Sequence, residues 1–188
     1  MKQKNKLIKA TSAFLACLIG FLSLICLSSC GNMTEEQVKE ILKEKLPESY
    51  KYNEIFWGKG LPTVETDSTD RYIAVSPGCG FSSVEDILNG AKEVYTDDFL
   101  EDVKDALFTQ GNDENSNSAR YINVAGTLKK DVTNKGFDVK GNIVIDSAKI
   151  IRQTGRSVKI TADYEDGGKI TLTLVNQNGN WLFNGPTY

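Results

Sequence analysis

The chain has 188 residues, 22 basic and 25 acidic, for a formal charge of −3, and no histidine. Without histidine the Ser-His-Asp and Cys-His catalytic arrangements, the usual zinc ligand sets and the commonest general base are all excluded. An enzyme built on this chain would have to work with carboxylates, tyrosines or lysines.

The acidic balance hides an uneven start. Lys2, Lys4, Lys6 and Lys9 precede an apolar run from Ala13 to Leu27 with no acidic residue, the form of an export signal. The run closes on Leu27-Ser28-Ser29-Cys30. A branched apolar residue, two small residues and a cysteine resemble a bacterial lipobox, so Cys30 is the expected lipidation site and residues 1–29 the signal. The competing expectation, a retained membrane anchor, needs about 20 apolar residues and a basic stop signal, and none follows Cys30. Cleavage before Cys30 would leave 159 residues, with 18 basic against 25 acidic side chains, a balance of −7. That length suits one domain. Its charge argues against nucleic acid and against electrostatic adhesion to an anionic membrane surface, and favours a basic partner.

Cys17 and Cys26 leave with the signal, so Cys79 is the one cysteine of the mature domain besides the lipidated residue. No internal disulfide and no thiolate metal site follow from that count. Neither a cofactor motif nor a metal motif is present, and Cys79 in the turn Ser76-Pro77-Gly78-Cys79-Gly80 reads as structural.

After a tether at residues 30–33, a single domain is expected over 34–188. Thr34-Glu35-Glu36-Gln37 reads as a capping box, and Val38, Ile41, Leu42 and Leu46 repeat at helical spacing until Pro47, where the helix is expected to stop. Tyr50, Tyr52, Phe56 and Trp57 follow, ahead of Gly58-Lys59-Gly60. Phe56 and Trp57 read as core residues, with an aromatic contact for a partner as the sharper alternative. Arg71 to Ser76 is expected to be a strand. Ser82 to Glu85 reads as a second capping box, opening a helical stripe of Val84, Ile87, Leu88, Ala91, Val94 and Tyr95. Thr96 is expected to cap a third helix with Asp97 and Asp98 in its first turn. Gly111 to Ser118 is polar loop.

The two later helices carry Glu85, Asp86, Glu93, Asp97, Asp98, Glu101, Asp102 and Asp105 against Lys92 and Lys104. Such a run is ordinarily a solvated face, and its functional alternative is a docking face for a basic protein, centred on Asp97, Asp98, Glu101 and Asp102. From Arg120 the hydrophobic period falls to two. Tyr121 to Val124, Phe137 to Gln153, Ser157 to Tyr164, Lys169 to Asn176 and Asn180 to Phe183 read as strands, with turns at Gly126, Thr154-Gly155-Arg156, Glu165-Asp166-Gly167-Gly168 and Gln177-Asn178-Gly179. The fold class is therefore α+β, with N-terminal helices covering a curved antiparallel sheet.

The helix leading into Val94-Tyr95-Thr96-Asp97, the helix after it, the hairpin-linked strands and the ending Asn180-Trp181-Leu182-Phe183 resemble extracytoplasmic NTF2-like or cystatin-like domains of low-GC Gram-positive bacteria. Within that group, Arg71 to Tyr188 is most similar to secreted inhibitors of cell-wall DL-endopeptidases. With the lipobox, the leading expectation is a non-enzymatic, lipid-anchored binding domain at the outer face of the cell membrane. The resemblance implies that its partner is a basic cell-wall hydrolase whose cleft it blocks, though the family is not characteristically lipid-anchored, and it places no inhibitory residue at a numbered position. Two other expectations stand beside it. One is a small-ligand carrier or isomerase using Asp163, Tyr164 and Tyr121 in a pocket between sheet and helices. The other is an accessory subunit of an envelope complex.

Overall fold

The computed structural model describes residues 32–108, 119–139 and 142–188. Thr34–Tyr188 form one compact unit. Within it lie three α-helices and two antiparallel sheets, an α+β arrangement. The expected lipidation site Cys30 and the polar run Gly111 to Ser118 lie outside the described residues.

Helix α1 spans Glu35–Phe56 and opens on the expected capping box: Thr34 Oγ1 accepts from the Gln37 N–H and the Gln37 side chain accepts from the Thr34 N–H. It does not stop at Pro47. That residue sits exposed within the helix, and the stripe begun by Val38, Leu42 and Leu46 continues through Ser49, Tyr52, Asn53, Ile55 and Phe56, all buried. Interior proline costs about 3 kcal/mol, and each fully buried large apolar side chain returns roughly 1.5–3 kcal/mol. The buried C-terminal half of α1 therefore outweighs the proline.

A first sheet has the order β1 (Tyr72–Ala74), β3 (Thr127–Asp131), β2 (Tyr121–Val124). Its β2–β3 hairpin turns through Ala125 and Gly126, both at positive φ. Helices α2 (Val84–Ala91) and α3 (Asp97–Leu107) separate β1 from β2 in the chain, and α2 packs against α3 and β2. The cap of α2 is Ser83, whose hydroxyl accepts from the Asp86 N–H, while the Asp86 carboxylate accepts from Ser82. The N-cap thus stands at Ser83, one residue after the Ser82 expected to open a Ser82–Glu85 box, and the Asp86 carboxylate reaches back to Ser82 instead of to the cap. Val94 and Tyr95 leave the helical stripe altogether: the Phe183 N–H donates to Val94 O, and the Thr96 N–H donates to Phe183 O. Thr96 caps α3 as expected.

The second sheet is a meander of β4 (Ile143–Gln153), β5 (Ser157–Tyr164), β6 (Lys169–Gln177) and β7 (Asn180–Phe183). Val158, Ile160, Ala162, Tyr164, Ile170, Leu172 and Leu174 are buried, while Lys159, Thr171 and Lys169 face outward, the alternation read in the sequence. Strand β4 starts at Ile143, later than the expected Phe137. The Phe137 N–H is taken by Trp57 O, and Gly136 before it holds φ +65 where an added Cβ would strike Gly58 O. Two bulges interrupt β4, between Val144 and Lys149 and between Ile150 and Arg152. At the first, Ser147 Oγ donates to Val144 O (2.6 Å) and accepts from the Asp163 N–H (2.7 Å), bridging the gap in the ladder. Helix α1 lies against β4, the Ile143 N–H donating to Tyr50 Oη (2.9 Å).

Candidate functional site

The acidic face is built by α3. Thr96 fixes the first turn, and the apolar positions Leu100, Val103 and Leu107 turn inward. At ~100° per residue, Asp97, Asp98, Glu101, Asp102 and Asp105 then fall within an outward arc of roughly 140°, and all are exposed. Asp97 is held to the second sheet: its N–H donates to Gln177 Oε1 (3.1 Å) and its carboxylate accepts from Gln177 Nε2 (2.8 Å). The cation on this stretch, Lys104, pairs with Glu101 at 3.6 Å. Glu85 on α2 is exposed and accepts from Asn123 Nδ2 (3.2 Å).

The aromatic segment is placed differently from a contact surface. Phe56 is 1 % exposed, edge-on to Phe108 with centroids 6.1 Å apart and tilted against Tyr52 and Tyr95, so it belongs to the core and is excluded as a partner contact. Trp57 is half-buried, packed against Phe56 and Tyr188, and its buried Nε1 has no hydrogen-bond partner among the described residues.

Around this segment the structure assembles a clamp that the sequence did not announce. Arg120, 2 % exposed, donates through Nε to Ile55 O (3.1 Å), through Nη2 to Gly58 O, and through Nη1 to Asn134 Oδ1 (3.0 Å). Tyr121 Oη donates to Ile55 O (3.1 Å) and accepts from the Leu61 N–H (2.8 Å). Lys130 Nζ donates to Lys59 O and Leu61 O, its pKa lowered by burial and then by the neighbouring Arg120 and Lys135 charges. The unpaired carbonyls at the C-terminal end of α1 carry partial negative charge, which is what makes a buried arginine without a carboxylate tolerable here. Arg71 and Asp131 form a separate pair at 2.7 Å; burial would raise the Asp131 carboxyl, but hydrogen bonds from Arg71 and Thr133 outweigh it and hold the pKa below the ordinary carboxylate value.

The isomerase candidates are dispersed. Asp163 lies on the outer face of the second sheet, paired with Lys169 at 2.5 Å. Tyr164 is buried on the opposite face, and Tyr121 lies in the first sheet, committed to the clamp. An open trough of about 640 Å³ is lined by Thr63, Val64, Thr66, Asp67, Ile73 and Val132, and none of the three candidates belongs to its lining. Cys79 is half-buried, its Sγ 3.5 Å from Phe81 O. Among the described residues no three potential ligands gather into a metal site, and no helix is long and apolar enough to cross a membrane.

The class defined by fold and surface is an α+β domain with Arg120, Tyr121 and Asp131 bound inward and the α3 carboxylates turned outward. No protein-family model matches the chain, and no curated protein matches it in sequence.

Proposed function

We propose that the protein is a lipid-anchored, non-enzymatic domain at the outer face of the cell membrane, which acts by binding a basic envelope protein. The resemblance noted above makes a cell-wall hydrolase the partner to test first. The observation that carries this reading is the row Asp97, Asp98, Glu101 and Asp102, four exposed carboxylates on one helix face with Lys104 as the local cation. A concentrated field of one sign steers and selects an oppositely charged partner. The separation of Asp163, Tyr164 and Tyr121 supports binding over catalysis, because Asp163 is paired with Lys169 on the outer sheet face and Tyr121 is committed to the clamp in the other sheet.

The test is recovery of partners from solubilised envelope on Thr34–Tyr188, at low and at moderate salt. A basic wall hydrolase captured at low salt and released as salt rises is the expected result. Exchange of Asp97, Asp98, Glu101 and Asp102 for Asn or Gln should weaken capture and flatten its salt dependence. Asp97 and Asp98 also favour the N-terminal turn by about 0.3–1 kcal/mol each, so Glu101→Gln with Asp102→Gln serves as the variant outside that turn. Undiminished binding by both variants would remove α3 as the contact.

A further inference from the structure

Arg152 on β4 and Lys159 on β5 are direct register partners, and both are exposed. Like charges directly opposed across an antiparallel pair stand about 4.5–5.5 Å apart at Cβ and destabilise it. Lys149 is exposed on the same strand opposite Thr161, and Arg156 is exposed in the turn. None of these four cations forms an ion pair among the described residues. Between them Ile151, the extra residue of the second β4 bulge, is 54 % exposed. Trp181 is half-buried beside the β6–β7 turn, which lies at the same end of the sheet because the Asn176 N–H donates to Arg156 O (2.9 Å). The fold thus gathers uncompensated positive charge around an exposed branched apolar side chain.

The start of α1 lies at this end too. Tyr50 Oη receives the Ile143 N–H at the first residue of β4, and burial raises the Tyr50 phenol, with Glu165 of the β5–β6 turn adding to it. Seven residues earlier, Lys43 is raised by its Glu40 hydrogen bond and also by Asp146, further along β4. Helix and strand therefore run antiparallel. The bulges let Ile143 to Arg152 advance only as far as Tyr164 to Lys159 on β5, about 17 Å at ~3.3 Å per residue, whereas Tyr50 to Glu36 covers about 21 Å at ~1.5 Å per residue, so the first turn of α1 reaches the β4–β5 hairpin end. Its acidic pair Glu35 and Glu36 is followed by Lys39, and Asp97, bonded to Gln177, bounds the basic patch on the β7 side. In the sequence only three residues separate Cys30 from Thr34, each reaching at most ~3.6 Å.

We propose that the β4–β5 hairpin end, with Lys149, Ile151, Arg152, Arg156 and Lys159, is a bilayer-contacting surface that takes the anionic phospholipid headgroups of the membrane carrying the Cys30 lipid. The orientation rests on the lipid-anchor reading, whereas the affinity belongs to the hairpin itself. Basic side chains near an anionic leaflet add attraction that falls off within a Debye length, and a branched apolar residue between them enters the interface. The domain's balance of −7 conceals this, because most of its carboxylates lie on the helices and loops, while Asp146 and Asp163 sit nearer the other end of β4 and β5.

Two experiments test the surface. Unlipidated Thr34–Tyr188 is sedimented with vesicles of phosphatidylglycerol in phosphatidylcholine and with phosphatidylcholine alone. Preferential partition onto the anionic vesicles is expected, falling about fivefold for each charge removed in a Lys149→Gln, Arg152→Gln, Lys159→Gln series. The lipidated full chain carrying Trp57→Phe is then placed in the same vesicles made with brominated acyl chains, where Trp181 fluorescence should be quenched and the triple variant should relieve the quenching. Equal partition onto neutral vesicles, no partition, or a triple variant indistinguishable from the parent overturns the surface. Cysteine lipidation confirmed by mass with Trp181 unquenched removes the surface and keeps the anchor. Anionic partition by the unlipidated domain with no lipid found on the full chain keeps the surface and removes the anchor.

Discussion

Tyr95→Phe removes a single oxygen from the centre of the core. Tyr95 is 0 % exposed, and its hydroxyl donates to Asn53 Oδ1 at 3.0 Å. The other end of the same amide, Asn53 Nδ2, donates to Thr187 Oγ1 (2.9 Å), which in turn donates to Ser49 Oγ (2.9 Å). The ring would stay packed against Phe56, Phe99 and Phe183, so the loss is confined to hydrogen bonding. A buried acceptor left without its donor costs ~1–3 kcal/mol, and we expect about 2 kcal/mol here. In a domain of this size that is a fall in Tm of roughly 4–8 °C. Thr187→Val, which strands Asn53 Nδ2 instead, should cost a similar amount. In an Asn53→Leu background, where the acceptor is gone, adding Tyr95→Phe should cost under about 0.5 kcal/mol. Urea unfolding of Thr34–Tyr188 followed by circular dichroism, with an unchanged slope, measures all four variants. A Tyr95→Phe loss below about 0.5 kcal/mol, or strict additivity with Asn53→Leu, would refute the network as a cooperative unit.

Pro47 stands exposed inside α1 and cannot donate to the Lys43 carbonyl, so Pro47→Ala should stabilise the domain by about 1–3 kcal/mol; a loss of stability by the same unfolding assay would mean that the local backbone is fitted to proline. Burial raises the phenols of Tyr52, to about 12, and of Tyr95 and Tyr121. The folded state then keeps protons that the unfolded chain sheds above about pH 10, so stability is full below that value and declines as pH rises toward the folded values. Unfolding free energies that stay level between about pH 9 and 12 would contradict this, and Tyr52→Phe should shallow the decline.

Signals that act within a few residues were legible in the sequence. Thr34 and Thr96 cap as read because their acceptors lie three residues from the donor, and the Asn178-Gly179 turn forms because both residues take positive φ. Local rules failed where a distant partner intervened. The rule that proline ends a helix lost at Pro47 to burial of Tyr52, Ile55 and Phe56. The stripe through Val94 and Tyr95 had helical spacing, yet Phe183, nearly ninety residues on, captured their backbone. Arg120 gave no signal, since its acceptors at Ile55 and Gly58 lie more than sixty residues back. Among the candidate site residues, the outward carboxylates of α3 followed from periodicity, whereas the Arg152–Lys159 opposition depends on a bulge that shifts the register by one residue.

Strand β4 closes its sheet at one side, with eleven residues and no further strand beyond it among those described. A flat edge of that length is a template on which a second chain can zip up. The Ser147 hydroxyl, by standing in for a ladder bond, keeps the first bulge open, and the second bulge follows within a few residues. Together they break the outer row of amides and carbonyls into runs too short to nucleate a cross-chain sheet. A serine that looks like an ordinary surface residue is thus a guard against aggregation, and its effect grows with the crowding of neighbouring copies.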